Sequence, residues 1–144
     1  LPRGRESCGE PGSRSFAEPK PFPSSRMGWE LLVQGTNAAG QLWLHFEFPD
    51  LTSSYASQPL SYVRYVLGYQ GENSLYRILS DGLSLVSGLD TMADGSSAGT
   101  SFYVVISLTD LGYQKSDAVL DVVFSYIASL RHAGVDRELY QSLA

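Results

Sequence analysis

Thr100-Ser101-Phe102-Tyr103-Val104-Val105-Ile106-Ser107-Leu108 is the stretch that decides the fold. In an extended chain Phe102, Val104, Ile106 and Leu108 point one way, and Tyr103 and Val105 point the other. A strand with two apolar faces belongs in the middle of a sheet, paired on both edges and covered on both sides. Gln41 to Phe48 offers a neighbour of the half-buried kind, with Leu42, Leu44, Phe46 and Phe48 alternating against Trp43, His45 and Glu47. Leu83 to Leu89 reads as a further strand, and Glu30 to Gln34 as a short one. Between the strands, Asp90 to Gly99 has the composition of a flexible connection.

Helical spacing fills the rest. Pro59 can open a helix because its missing N–H is not needed in the first turn, and Leu60, Val63 and Leu67 then share a stripe. That helix breaks at the glycines Gly68 and Gly71, and a second short one runs from Asn73 or Ser74 to Ser80, stopped by Gly82. The longest helix starts at Ser116, read as its N-cap, and carries Val119, Val122, Val123, Tyr126, Ile127 and Leu130 on one side before Gly134. Asp136 to Ala144 begins another.

The composition bounds the function. A chain of 144 residues is one domain's worth of core. Residues 1–28 hold five of the seven prolines among Gly, Ser and Arg, which is the composition of a disordered tail, so the folded domain is expected over 29–144. The Arg and Ser bias of the tail also fits a transit peptide, though Glu6, Glu10 and Glu18 count against that. The remainder carries five basic against twelve acidic side chains, which argues against nucleic acid as a partner. No apolar run approaches the roughly 18 residues of a membrane span, so a soluble chain, cytoplasmic or organellar, is expected. Cys8 is the single cysteine, which excludes an internal disulfide and a Cys-rich metal site and leaves the redox compartment open.

Several chemistries find no residues to run them. Zinc proteases put two histidines on one helical turn with a glutamate beside them, whereas His45 and His132 lie far apart and each lacks a histidine partner. No G-x-S-x-G elbow is present, and Gly68-Tyr69-Gln70-Gly71 has no Gly-Lys-Ser/Thr after it to make a phosphate loop; a helix-helix corner with unusual backbone angles is the better reading. Asp117 and Asp121 share a helix face near its start, where they favour the dipole and stay solvated. No catalytic residue, metal ligand or cofactor site is therefore assigned to this chain.

A set of blocks in fixed order carries a resemblance. Phe48-Pro49-Asp50-Leu51, Pro59 with Tyr62, Leu67-Gly68-Tyr69-Gln70-Gly71-Glu72-Asn73-Ser74-Leu75 and Gly82-Leu83 resemble the second domain of insulysin and pitrilysin-type zinc metalloproteases. Ser107-Leu108-Thr109-Asp110-Leu111-Gly112 and Val123-Phe124-Ser125-Tyr126-Ile127 through Leu130-Arg131 continue it, so that it covers about residues 41 to 144. The resemblance implies an α/β (α+β) two-layer sandwich of LuxS/MPP-like type, a mixed or antiparallel sheet against helices, lacking its C-terminal part. It implies a noncatalytic, substrate-positioning module, with zinc held by an inverted motif in the first domain of the parent enzyme. Its partners would be extended peptide substrates and the catalytic domain, in the same polypeptide or as a separate subunit. In that family the peptide's N-terminal part pairs with a strand edge through main-chain hydrogen bonds. By position, the exosite here comprises Gly68, Tyr69, Gln70 and Gly71 at the corner with Ser87, Gly88 and Leu89 on the strand. Two departures stand out: Tyr69 and Gln70 replace a histidine and a glutamate, and Asn73 replaces a glycine. A neutral Gln70 lacks the charge that would favour a peptide's amino terminus. The alternative class is a noncatalytic assembly subunit, as in the related mitochondrial processing and respiratory core proteins.

Overall fold

The structure, a computed structural model, describes Gly28 and residues 40–51, 58–96 and 99–143. The tail, the Glu30 to Gln34 strand and the domain's start at 29 lie outside these residues. Three strands, β1 (Gln41–Phe48), β2 (Val86–Ser96) and β3 (Gly99–Leu108), form one antiparallel sheet in the order β1-β3-β2. The twice-apolar strand is thus central. Its pairing with β1 runs from Gln41 opposite Ser107 to Phe48 opposite Thr100.

β2 corrects the reading of Asp90 to Gly99 as a flexible connection. The strand runs through Asp90, Thr91, Met92, Ala93 and Asp94 to Ser96, each in register with β3. Asp, Ala and Gly have weak strand preference, but a fully apolar neighbour with unpaired N–H and C=O groups outweighs it. The other end is shorter than expected: the strand begins at Val86, after a turn in which Ser84 takes φ 56°. A bulge between Val86 and Gly88 shifts the register.

One sheet face makes the core. Phe102, Val104, Ile106 and Leu108 of β3 and Leu89 of β2 are buried together with Leu67, Leu75, Leu79, Val119 and Val123 from the helices. Those helices are α1 (Pro59–Gly68), α2 (Leu75–Arg77), α3 (Asp110–Gln114), α4 (Ser116–Ala133) and α5 (Arg137–Leu143). The second short helix departs from expectation in kind: α2 widens into a π-helical turn, Ile78–Gly82, whose Leu79 is fully buried. Ser74 caps α2, its hydroxyl accepting from the Arg77 N–H at 3.1 Å while it is itself wholly buried. Arg77 and Asp81 pair one turn apart on the surface, and the hydrogen bond from Arg77, then that from Ser80, hold the Asp81 carboxyl below its ordinary range.

The helix α3 was not visible as a separate element. Thr109 caps it, its hydroxyl accepting from the Gly112 N–H at 3.0 Å and donating to the Ser84 carbonyl at 2.9 Å. Ser116 is therefore not the N-cap of α4: it is the first helical residue, Lys115 precedes it, and no side chain caps that end. The expected last helix is present as α5, capped by Asp136, whose Oδ1 accepts from Glu138 and Leu139 N–H at 3.0 and 3.1 Å.

Gly112 is buried against the chain entering β2, and a Cβ there would overlap the Leu85 carbonyl oxygen. Thr109 N–H donates to that same carbonyl at 3.0 Å, so the backbone cannot retreat without losing a ladder bond. Gly112→Ala is expected to destabilise the chain by about 3 kcal/mol or more in chemical denaturation; an unchanged midpoint would show that α3 does not dock on Leu85. Phe102→Ala, in the middle of the core, should cost about 3–5 kcal/mol by the same measurement.

Candidate functional site

Hydrogen-bond alternation in β3 determines which main-chain groups of β2 are free. Leu108 N–H donates to the Gly40 carbonyl at 2.8 Å. Directly opposed residues in an antiparallel pair alternate between exchanging bonds and not, so Leu108, Ile106, Val104 and Phe102 bond toward β1. Ser107, Val105, Tyr103 and Ser101 then bond toward β2, meeting Gly88, Asp90, Met92 and Asp94. Leu89, Thr91 and Ala93 stand opposite the other set, and their N–H and C=O groups face away from the sheet. The outer edge of β2 is a row of main-chain donors and acceptors.

The corner after α1 closes onto that edge. A Cβ on Gly68 would come to 3.0 Å from Thr91 Oγ1, and the Thr91 hydroxyl donates to the Arg64 carbonyl at 3.4 Å. Lacking a side chain, Gly68 brings the end of the helix close to the strand. The expectation of unusual angles at the corner glycines is corrected: the left-handed residue is Asn73, φ 58°, a conformation that a short amide side chain tolerates. Gly71 serves a different need, since the Tyr69 phenol folds over it where a Cβ would stand.

Gln70 reaches across the corner, and its Nε2 donates to the Leu89 carbonyl at 3.1 Å. One outward acceptor of the edge is thus held by a side chain of the corner itself. Tyr65 and Tyr69 stack beside it, ring centres 5.8 Å apart. These residues open on a groove of about 570 Å³ lined by Arg64, Tyr65, Gly68, Tyr69, Gln70 and Thr91 among others.

Gly68, Tyr69, Gln70 and Leu89 are therefore brought together, with Gly71 beneath the Tyr69 ring. Ser87 and Gly88 stand apart from the groove lining. Ser87 is the extra residue of the bulge, its hydroxyl donating to the Ser107 carbonyl at 3.3 Å, and Gly88 turns its main chain inward to Ser107. Arg64, Tyr65 and Thr91 were missed. Ser61, Arg64 and Gly68 recur at helical spacing, which could have placed Arg64 on the corner's face; Thr91 was hidden by reading its strand as a connection.

The remaining polar clusters are closed on themselves. His45 stacks on Tyr103 at 4.5 Å between ring centres, and its Nε2 lies 2.5 Å from Glu47 Oε1, the oxygen that also accepts from Ser101 Oγ at 2.6 Å. His132 is exposed in the last turn of α4, far along the chain from His45. Among the described residues no three His, Cys, Asp or Glu side chains converge as a bound metal requires, so the donor set does not fit a zinc site. No single described helix is long and apolar enough to cross a membrane.

Comparison with known proteins bears on the family and the fold. The family model described as the peptidase M16 inactive domain matches residues 6–143. The insulin-degrading enzyme of Drosophila melanogaster is 28% identical over 123 residues, 83% of this chain and 12% of that protein. Insulin-degrading enzyme-like 2 of Arabidopsis thaliana is 33% identical over 95 residues, covering 64% of this chain and 10% of the relative. The crystal structure of pitrilysin shares the fold, with a TM-score of 0.66 at 24% identity over 70% of this chain and 11% of that one. The chain spans about a tenth of the length of these relatives. With a family match that spans nearly its whole length and a pitrilysin-like fold, this chain belongs to the inactive-domain family of the M16 zinc peptidases.

Proposed function

We propose that this chain is the substrate-positioning module of a zinc metallopeptidase and holds extended peptides by adding them as a strand to the outer edge of β2. The observation that carries the reading is the row of outward main-chain groups on Leu89, Thr91 and Ala93, next to the groove at the Gly68 corner. Main-chain pairing reads the extended shape of a peptide and not its side chains, which suits a module serving many substrates. Catalysis then falls to zinc and a general base in another domain of the parent, whose activity and substrates belong to this proposal. A second reading, an assembly subunit that docks a partner chain, draws on the far sheet face, where Trp43 and Met92 are 52% and 43% exposed.

The test is a pair of unstructured peptides of one sequence, one of them N-methylated at alternate residues, titrated into the full chain. Binding of the first and loss of at least tenfold with the second is expected; equal binding of both would overturn strand addition. Gln70→Ala frees the Leu89 carbonyl and is expected to tighten binding of the unmodified peptide by roughly fivefold, the scale of one hydrogen bond that no longer has to be exchanged. Zinc titrated into the same chain, followed by calorimetry and a peptide-cleavage assay, should give neither stoichiometric tight binding nor cleavage; one bound zinc with turnover would refute a purely positioning role.

A further inference from the structure

We propose that Arg64 makes the groove beside the β2 edge selective for extended peptides that carry a carboxylate side chain. The inference rests on the peptide-holding reading above and adds to it a preference that main-chain pairing alone does not supply.

The argument starts from charge. Residues 29–144 carry twelve acidic and five basic side chains, so the body as a whole repels an acidic ligand. The groove is an exception: Arg64 lines it, and no acidic residue does. Neighbours one helical turn away on α1 are Leu60, Ser61, Leu67 and Gly68, none of which is a carboxylate. The nearest acidic residues of β2, Asp90 and Asp94, stand opposite Val105 and Ser101, which places them on the other face of the sheet from Thr91. Strand alternation thus removes from the groove the carboxylates that the sequence sets on either side of Thr91. Among the described residues Arg64 has no ion-pair partner.

Position supports the same conclusion. The Arg64 carbonyl is anchored by the Thr91 hydroxyl, so the helix turn that bears the guanidinium is fixed to the edge where a peptide would pair. Arg64 is exposed, which places a cation at that edge open to a ligand. The stacked Tyr65 and Tyr69 rings form an apolar wall alongside, which lowers the local screening of a charge pair made there. A glutamate or aspartate on a bound strand, facing the helix side, meets a guanidinium suited to bidentate carboxylate contact. Arg64 is a specificity-determining residue in this scheme and plays no part in holding the fold.

The experiment compares two extended peptides that differ only by Glu or Gln at one position, scanned along the sequence, against the full chain and against Arg64→Gln and Arg64→Glu. At one register the Glu peptide should bind about fivefold more tightly to the natural chain, the range of a partly solvated ion pair. Arg64→Gln should abolish that preference, bringing the Glu and Gln peptides to equal affinity, and Arg64→Glu should invert it. Equal binding of Glu and Gln peptides at every register overturns the role of Arg64 while strand addition stands. A preference that survives Arg64→Gln also overturns it. Failure of both peptides to bind removes the peptide-holding reading and this inference together.

Discussion

The central strand's hydrogen-bond alternation is the constraint on which the rest depends. β3 must satisfy two sets of main-chain groups, and it does so by giving alternate residues to β1 and to β2. Once Leu108 is bound to Gly40, every later partner is determined, including which residues of β2 look outward. The side chains obey the same alternation: Phe102, Val104 and Ile106 enter the core, while Ser101, Tyr103 and Ser107 do not. A single shift in register would exchange both sets at once, carrying Asp90 into the buried position that Leu89 fills. The cost of burying that carboxylate helps to secure the register.

The central strand, β1, and the helices α1 and α4 were legible because their apolar residues repeat at a period that only one kind of element produces. The second half of β2 was not, since Asp90, Ala93, Asp94 and Gly95 follow no strand preference and owe their conformation to a partner near them in sequence. The separate helix α3 was hidden for another reason. Its existence turns on one hydroxyl, that of Thr109, bonding forward to Gly112 and backward to Ser84, and the backward half is a contact between distant segments. At the corner, Gly68, Tyr69 and Gln70 line one groove, while the unusual backbone angle expected of the glycines falls on Asn73 and Gly71 makes room for the Tyr69 ring. Arg64 escaped notice because a lone arginine on a helix is ordinary until the strand beside it is placed.

The site is built from components with little reactivity. It consists of outward peptide groups, a glycine that admits them to a helix end, two tyrosine rings and an amide. Such an arrangement suits holding a chain more than transforming it, in keeping with the M16 inactive-domain family. The far face of the sheet differs in character, with His45, Glu47, Ser101 and Tyr103 bonded or stacked among themselves and Trp43 exposed at the rim. One face thus packs the core and the other is more open, and the outer edge of β2 lies along their border.

The bond from Gln70 to the Leu89 carbonyl also bears on how the protein behaves in a crowded solution. A strand with free outward peptide groups is a template on which any extended chain, including another copy of the same strand, can grow. By covering the acceptor at one end of the row, Gln70 shortens the template that runaway stacking would need, and Gly68 keeps a helix end close to Thr91 beside it. Under the proposed strand addition, a peptide long enough to gain several bonds would displace one amide, whereas a brief encounter with a stray strand would gain too little to do so. On the strand-addition reading proposed above, the side chain would act as a threshold that admits committed guests and guards the edge against aggregation.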